Sequence, residues 1–262
     1  MAIWARRPAA ADQLRAAAAA DFVSTQLKEV VSGAELVVLA TPVGAVADLL
    51  GAILLDVAEG AIITDLCSVK GAVETAVGTA FEASGRSDVH FVGAHPMAGS
   101  DRVGFENARA DLFDDAVCAV CAGARSSEPA QQLVTRFWSR LGCRTQSLEP
   151  AVHDAFVARI SHLPHVAASA LVNAVLGGSD DPGILAGPGF RDNTRIAMGA
   201  PEMWAEIVAE NREEVVAGLE DYIDELGEVL AKLRDMDNEE VCRYLADAQR
   251  LRRALGDPTG QE

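Results

Sequence analysis

Positive charge is scarce in this sequence, and the scarcity excludes two classes of partner. The 262 residues include 22 lysines and arginines against 39 aspartates and glutamates, which gives a net charge of −17. Residues 201–262 hold seven basic and 17 acidic side chains, so much of the excess lies there, and we interpret it as a solvated helix face. So acidic a surface repels phosphates, and we predict neither nucleic acid nor a membrane as a partner.

Cysteines and long apolar runs are also few. The five cysteines are odd in number and irregularly spaced, which argues against a disulfide framework and indicates a reducing compartment. The sequence has no uninterrupted run of 18 apolar residues, and its N-terminus lacks a signal-peptide layout. We therefore predict a cytoplasmic protein without a membrane span, and the cysteine spacing predicts no metal site.

Aromatic residues make up only 5% of the chain, whereas half of all residues are apolar, which excludes a disordered protein. Up to residue 149, short apolar runs alternate with helical patterns, and this alternation predicts a doubly wound parallel sheet covered by helices. The predicted strands are residues 2–5, 35–40, 61–65, 90–94, 116–121 and 144–148. Beyond residue 150 only helical patterns follow, at 152–176 with a kink at Pro164, 201–233 and 238–255. The sequence thus predicts an α/β domain at 1–149 and an all-helical domain at 150–262.

A GxGxxG turn between a strand and a helix, which would cradle the phosphates of a dinucleotide, is absent. The chain opens instead with a strand-like segment followed by Arg6, Arg7 and a helix, as the second strand of such a domain usually does. We expect one strand, its glycine turn and one helix, roughly 25–30 residues, to be missing ahead of it. Arg6 and Arg7 either bind the 2′-phosphate of NADP or are merely solvated, and the sequence leaves both readings open.

Three polar clusters fall where an α/β protein places its ligands. Ser68 follows the predicted strand 61–65 and could equally cap the next helix. His95 lies between a predicted strand and a proline- and glycine-rich loop, a position that favours function over structure. Arg191 and Arg195 lie between glycines and a long helix, and are the cations that an acidic protein needs to hold a carboxylate.

These clusters belong to a series of motifs that resembles the prephenate/arogenate dehydrogenase family in matching order, from about residue 2 to residue 255. The motifs are VLATP at 38–42, TDLCSVKG at 64–71, GAHPMAG at 93–99, SHLPH at 161–165 and GFRDNTRIA at 189–197. The resemblance implies a Rossmann-like parallel sheet domain, here shortened at its N-terminus, followed by an all-helical dimerisation domain. The departure from the family pattern is the missing glycine loop.

The resemblance also implies a reaction, the oxidative decarboxylation of prephenate or arogenate with NADP or NAD in tyrosine biosynthesis. On this basis His95 is the base that takes the proton of the ring hydroxyl, and Ser68 fixes the geometry of that hydroxyl. Arg195 binds a substrate carboxylate and His165 contacts the other polar end of the substrate. The helical domain is expected to form a homodimer.

Further residues match family positions near the ligands. Arg191, Asp192 and Trp204 match positions near the substrate, some of them reached from the second subunit. Thr41 and Pro42 match the loop that lies against the nicotinamide ribose.

The loop after His95 adds Ser100 and Asp101 to the substrate-binding set. Asp101 either pairs with the ammonium group of arogenate or forms an ion pair with a nearby arginine. We interpret His153 and His162 as structural histidines.

Two other functions remain open on the sequence. A related 3-hydroxyacid dehydrogenase is disfavoured because residues 152–176 contain no lysine to serve as its catalytic group. A non-catalytic dimeric module that binds a ligand without turnover is the alternative from a different class.

Overall fold

The computed structural model describes residues 1–99, 104–178 and 181–256, and it contains seven strands in two sheets. The strands are β1 (Ala2–Trp4), β2 (Phe22–Ser24), β3 (Leu36–Leu39), β4 (Ile62–Asp65), β5 (His90–Pro96), β6 (Val117–Cys121) and β7 (Arg144–Leu148). β1 and β2 form a parallel pair, and the remaining five form one sheet in the order β3-β4-β5-β6-β7. All six predicted strands are present, and the short strand β2 is an addition to them.

The larger sheet is parallel except at one pairing, since β5 and β6 run antiparallel. A parallel neighbour needs a crossover, usually a helix. Within residues 97–116 the described part contains only a short 3₁₀ turn, Phe105–Asn107, so β6 returns directly beside β5. The α/β prediction is therefore confirmed with one strand reversed.

Helices cover the sheet and continue beyond it. Those of the first part are α1 (Pro8–Ala16), α2 (Leu27–Val31), α3 (Val46–Ile53), α4 (Gly71–Ser84) and α5 (Glu128–Arg140). Those after the last strand are α6 (Pro150–Val157), α7 (Leu163–Leu176), α8 (Pro188–Thr194), α9 (Pro201–Glu210), α10 (Arg212–Arg234) and α11 (Asn238–Ala254). The single helix predicted over 201–233 is divided at Asn211, where α9 ends.

Two buried apolar clusters form the core on the sheet. One packs α3 and α4 against β3–β5 around Leu50, Ile63 and Phe81. The other packs α5 against β5 and β6 around Val134 and Trp138. Burying this apolar surface on both faces holds the carboxyl ends of β3, β4 and β5 in fixed register.

The segment Pro150–Leu176 departs from a regular helix before the predicted kink. Residues Ala158–His162 form a π turn, in which the Leu163 amide donates to the Ala158 carbonyl. Pro164 follows at once, and because its ring lacks an N–H and crowds the carbonyl four residues earlier, the preceding turn widens. The disturbance predicted at Pro164 is thus present one turn earlier, as a π turn.

Among the described residues, this same stretch, Pro150–Leu176, is long and apolar enough to cross a membrane by length and composition, with a mean hydropathy of 1.2 in its most apolar window. The sequence analysis found no such segment because it counted only uninterrupted apolar runs, and this finding corrects it. A core helix of a soluble protein passes the same test, and this stretch buries the polar side chains of His153, Asp154, His162 and His165.

The chain forms two compact units, Met1–Glu214 and Val215–Glu262. The first contains both sheets and helices α1–α9. The second contains most of α10 and all of α11, and its helices carry much of the acidic surface. The predicted division between residues 149 and 150 falls within the first unit and stays a prediction.

Candidate active site

His95, next to last in β5, is buried and faces a second histidine from α6. Its Nδ1 lies 2.9 Å from Nε2 of His153, whose Nδ1 in turn lies 2.7 Å from Oδ1 of Asp154. A carboxylate only accepts hydrogen bonds, so a neutral His153 donates from Nδ1 to Asp154 and accepts at Nε2 from the Nδ1–H of His95. The Nε2 atom of His95 is then left unprotonated and able to accept a proton.

The environment of His95 keeps the imidazole neutral. Burial lowers the pKa of His95 well below its usual 6.5, and the nearby positive charge of Lys70 and the neighbouring His153 and His162 lower it further. A protonated imidazole there would be both desolvated and repelled. His95 is therefore a neutral base at and below neutral pH.

His95, His153 and Asp154 form a hydrogen-bonded array, and Asp154 also connects this array to the start of α4. Its Oδ1 accepts the Lys70 amide at 2.8 Å and its Oδ2 accepts the Gly71 amide at 2.7 Å, at the N-terminus of α4. Burial alone would raise the pKa of Asp154, but the hydrogen bonds from His153 and from these two amides outweigh it and lower the pKa. A carboxylate at a helix N-terminus also interacts favourably with the helix dipole. This carboxylate, rather than Ser68, satisfies the first amides of α4.

A buried ion pair connects the ends of β4 and β5 beneath His95. The ammonium group of Lys70 contacts the carboxylate of Asp65 and donates to the Ala94 carbonyl at 2.8 Å. Asp65 accepts the amides of Ala94 and Cys67, each at 3.0 Å. Each charged group thus has hydrogen bonds beyond the ion pair itself, and these hold the backbone at Ala94, next to His95, and at Cys67, next to Ser68.

A cavity of about 550 Å³ opens at the carboxyl ends of β3 and β4 and is closed on its other side by α9. Thr41 and Pro42, expected at the nicotinamide ribose, line it together with Ser68, expected at the substrate hydroxyl, and α9 contributes Glu206. The hydroxyl of Thr41 is buried without a hydrogen-bond partner, so it is available to a ribose or carboxamide group. This mostly apolar cavity with an unsatisfied hydroxyl fits the nicotinamide end of a dinucleotide.

His165 and Trp204 stack in a second cavity of about 480 Å³, which Ser169 and Asn173 also line. Their rings lie 3.7 Å apart and 13° from parallel. Nδ1 of His165 is buried without a partner, so the second cavity also presents an unsatisfied polar atom. Burial lowers the pKa of His165, which keeps this imidazole neutral as well.

Asn211 contacts both His162 and the backbone of Asp154. The side-chain amide of Asn211 donates to the Asp154 carbonyl at 2.9 Å and faces Nδ1 of His162 at 3.2 Å. Burial lowers the pKa of His162 to about 4. The interpretation of His162 as a structural histidine stays a prediction.

Four of the predicted ligand-binding cations are exposed. Arg6 and Arg7 precede α1, and Arg195 begins a short 3₁₀ turn, Arg195–Met198, next to residues of the second cavity. Arg191 donates to the Ala186 carbonyl at 3.1 Å. Within the described ranges none of the four contacts His95 or Ser68. Ser100 and Asp101 lie outside the described residues.

Sequence reasoning missed several residues that the structure places near His95 or on the wall of the 550 Å³ cavity. His153 was interpreted as structural, and its contact with His95 corrects this. Lys70, Asp154, Asn211 and Glu206 had no assigned role, and they come from distant parts of the chain. For Lys70 alone a local signal existed, because a lysine five residues after the aspartate that ends a buried strand requires a charged partner if it is buried as well.

Comparison with known proteins supports this geometry. Residues 6–147 match the family model "Prephenate dehydrogenase, nucleotide-binding domain", and residues 149–247 match "Prephenate dehydrogenase, dimerization domain". The prephenate dehydrogenase of Bacillus subtilis is 30% identical over 172 residues, which are 64% of this chain and 46% of that protein. The cyclohexadienyl dehydrogenase of Zymomonas mobilis is 30% identical over 168 residues, 63% of this chain and 57% of that one. The matches thus span about half the length of these curated relatives.

Solved structures of prephenate and arogenate dehydrogenases superpose on nearly the whole chain. The prephenate dehydrogenase from Aquifex aeolicus, in complex with hydroxyphenyl propionate and NAD⁺, superposes with a TM-score of 0.88 at 26% identity, covering 97% of this chain and 88% of that one. The arogenate dehydrogenase of Synechocystis superposes with a TM-score of 0.83 at 25% identity, covering 97% and 90%. Because the two family models match residues 6–147 and 149–247, this protein belongs to the prephenate dehydrogenase family.

Proposed function

We propose that this protein catalyses the NAD(P)-dependent oxidative decarboxylation of prephenate to 4-hydroxyphenylpyruvate, or of arogenate to tyrosine. The observation that carries the proposal is the unprotonated Nε2 of His95, oriented by His153 and Asp154 near the carboxyl end of β5. This strand is the parallel neighbour of β4, and the 550 Å³ cavity opens at the carboxyl ends of β3 and β4. The family membership and the substrates named for the relatives support it.

His95 moves the proton in this proposal. Its Nε2 accepts the hydroxyl proton of the ring carbon as that carbon loses its hydride and becomes a carbonyl. The bond to the ring carboxylate then breaks, carbon dioxide leaves, and its electron pair makes the ring aromatic. His95 returns the proton to the phenolate oxygen, so the residue ends the cycle neutral. When bound, the nicotinamide supplies the hydride acceptor.

Substrate orientation falls to the polar groups around the two cavities. Ser68 would hydrogen-bond the reacting hydroxyl, and Arg195 would bind a substrate carboxylate. His165, whose Nδ1 lacks a partner, would bind the far polar end of the substrate beside Trp204. Arg191 and Asp101 complete the proposed substrate set, with Asp101 pairing with the ammonium group where arogenate is the substrate.

At the cofactor, Thr41 and Pro42 would hold the nicotinamide ribose. The exposed guanidinium groups of Arg6 and Arg7 would favour the 2′-phosphate of NADP over the hydroxyl of NAD. We further propose a cytoplasmic location, which the irregular, odd set of five free cysteines supports.

A direct assay tests the function. The purified protein is supplied with prephenate or arogenate and with NAD⁺ or NADP⁺, and the reduced cofactor is followed by absorbance while the aromatic product and carbon dioxide are quantified. We expect equal amounts of reduced cofactor, carbon dioxide and aromatic product with at least one pair. Cofactor binding with no product from either substrate would favour the non-catalytic module instead.

A homodimer is the expected assembly. Within the second compact unit, α10 exposes Ile223, Leu226, Leu230 and Leu233. Their spacing of three and four residues is that of a helix–helix seam. Together with the dimerization-domain match at 149–247, this supports pairing of two chains. Light scattering should give a dimer mass near twice 27.5 kDa, and Leu230→Glu should halve it.

A further inference from the structure

Two carboxylates of α9 lie on the wall of the 550 Å³ cavity, opposite the strand ends that carry Thr41 and Ser68. Glu202 is exposed, whereas Glu206 is half-buried one turn further along the same helix. Most of the remaining wall is apolar, formed by Ala40, Pro42, Val43, Leu66, Met203 and Ile207. Of the described residues that line this cavity, none carries a positive charge.

Glu206 is held in place across the cavity mouth. Its Oε1 accepts the backbone amide of Gly44 at 2.6 Å, in the short 3₁₀ turn that follows Pro42. A Cβ atom on residue 44 would lie 3.1 Å from this oxygen, so the glycine allows the close approach. Among the described residues, the Gly44 amide is the one hydrogen-bond donor to this carboxylate. This hydrogen bond holds the negative charge at the cavity wall.

A fixed negative charge matters for a ligand whose own charge changes during the reaction. The oxidised nicotinamide ring is a cation, whereas the reduced ring is neutral, and the rest of the dinucleotide is the same in both forms. Any group that acts equally on both forms therefore cancels from the ratio of their dissociation constants. A charge close to the ring acts on the cation and hardly on the neutral form, so it changes that ratio.

We propose that Glu206 makes this site bind oxidised NAD(P)⁺ in preference to reduced NAD(P)H, so that the cofactor is captured oxidised and released after it is reduced. The inference rests on the proposed function, because it requires the nicotinamide to occupy this cavity. It adds a specificity-determining residue whose part is to discriminate between redox states of the cofactor. The hydride step itself does not involve Glu206.

The effect is measurable because the cavity is largely apolar and the carboxylate is half-buried. A carboxylate near a cation under partial solvent screening is expected to change the ratio of dissociation constants by about tenfold, which equals about 1.4 kcal/mol. Added salt should weaken the preference for the oxidised cofactor only slightly, since salt screens a partly buried pair of charges, here the Glu206 carboxylate and the nicotinamide cation, less than an exposed pair.

Glu206→Gln separates charge from positioning, because the glutamine oxygen can still accept the Gly44 amide. The dissociation constants of NAD(P)⁺ and NAD(P)H are measured by titration calorimetry for the wild type, for Glu206→Gln and for Glu210→Gln. Glu210 is exposed, lies on the same helix and does not line the cavity, so it matches the change in net charge. We expect the preference for the oxidised form to fall about tenfold in Glu206→Gln and to stay unchanged in Glu210→Gln.

Glu206→Leu removes both the charge and the hydrogen bond. We expect it to lose the same preference as Glu206→Gln, with some further loss of affinity for both forms. Glu206→Gln could keep the wild-type ratio of the two dissociation constants, while Glu206→Leu binds both forms of the cofactor more weakly by the same factor. That outcome would mean that Glu206 only positions the loop, and it would overturn this inference but not the proposed function. A wild-type protein that binds neither form would overturn the proposed function together with the inference.

Discussion

His95 is the residue on which the proposed chemistry most depends. His95→Asn keeps a hydrogen-bonding side chain near Nε2 of His153 but removes the base, so we expect kcat to fall by about 10²–10⁴-fold. Steady-state assays with the preferred substrate measure this. His90→Asn, at the half-buried first residue of the same strand, is the matched control and should retain wild-type turnover. Near-normal kcat in His95→Asn would remove His95 from the mechanism.

Asp154 is proposed to act on the reaction only through His153. Asp154→Asn removes the charge that orients His153, and its amide group cannot accept all three hydrogen bonds that the carboxylate accepts. We expect kcat to fall at least about tenfold while the substrate KM changes little, because Asp154 lies behind the base.

The pH profile of Asp154→Asn distinguishes positioning from a loss of folding. His95 works as a neutral base with a lowered pKa, so activity is lost only as the pH falls through that low value. Without the nearby negative charge, protonated histidines in the array are less stable, and the acid limb of kcat/KM should move to lower pH. An acid limb at the wild-type position, with a proportional rise in KM, would contradict the role.

The sequence was informative about single residues only where a local pattern carried the signal. His95 could be predicted because it follows an apolar strand and precedes a proline- and glycine-rich loop. His153 could not, because 58 residues separate it from His95 and its own surroundings are an ordinary apolar helix. The same holds for Glu206, whose contact with Gly44 spans 162 residues.

At the scale of elements, the π turn decides which side chains of the long helical stretch share a face. Twelve residues separate His153 from His165, which corresponds to about 120° between their directions in an uninterrupted α-helix. The extra residue in the π turn at Ala158–His162 removes about 100° of this difference. Both histidines therefore point to nearly the same side, where one meets His95 and the other meets Trp204.

Deletion of Ile160 tests this register. Ile160 is 68% exposed, and its removal should convert the π turn into α-helix and rotate His165 by about 100° relative to His153. We expect the substrate KM to rise at least about tenfold and the near-ultraviolet circular dichroism of the stacked Trp204 to change. Ile160→Ala removes the side chain while preserving the register and should resemble the wild type. An unchanged KM in the deletion would show that the π turn does not position His165.

Element boundaries show where periodicity fails as a predictor. Six of the seven strands followed from apolar runs, but the direction of β6 depends on what connects it to β5, and no pattern within β6 records that. Likewise a helical period continues unbroken from 201 to 233, whereas the chain turns at Asn211 because its side chain is buried against Asp154 and His162. Tertiary hydrogen bonds therefore set these features.

At the scale of the whole molecule, buried neutral histidines make stability depend on pH. Burial lowers the pKa values of His95, His162 and His165 in the folded state, whereas the unfolded chain binds these protons near pH 6.5. Below that pH the unfolded state binds more protons than the folded state, so the free energy of unfolding falls as the pH falls. The pKa of Asp154 is lowered, so this residue adds to the loss of stability only below its ordinary pKa of 3.8. The pKa of Glu74 is raised, so this residue stabilises the folded state as the pH falls through the acid range.

His162 offers the clearest measurement, because burial lowers its pKa to about 4. From pH 7.5 to pH 5 its uptake of a proton in the unfolded state should lower the free energy of unfolding by about 2 kcal/mol. Urea unfolding at fixed protein concentration, at pH 7.5 and pH 5, compares the wild type with His162→Gln and His90→Gln. We expect His162→Gln to be less stable at pH 7.5, because it loses buried packing, yet to lose about 2 kcal/mol less than the wild type on acidification. His90→Gln should keep the wild-type difference, and an equally steep loss in His162→Gln would show that this histidine does not govern the acid response.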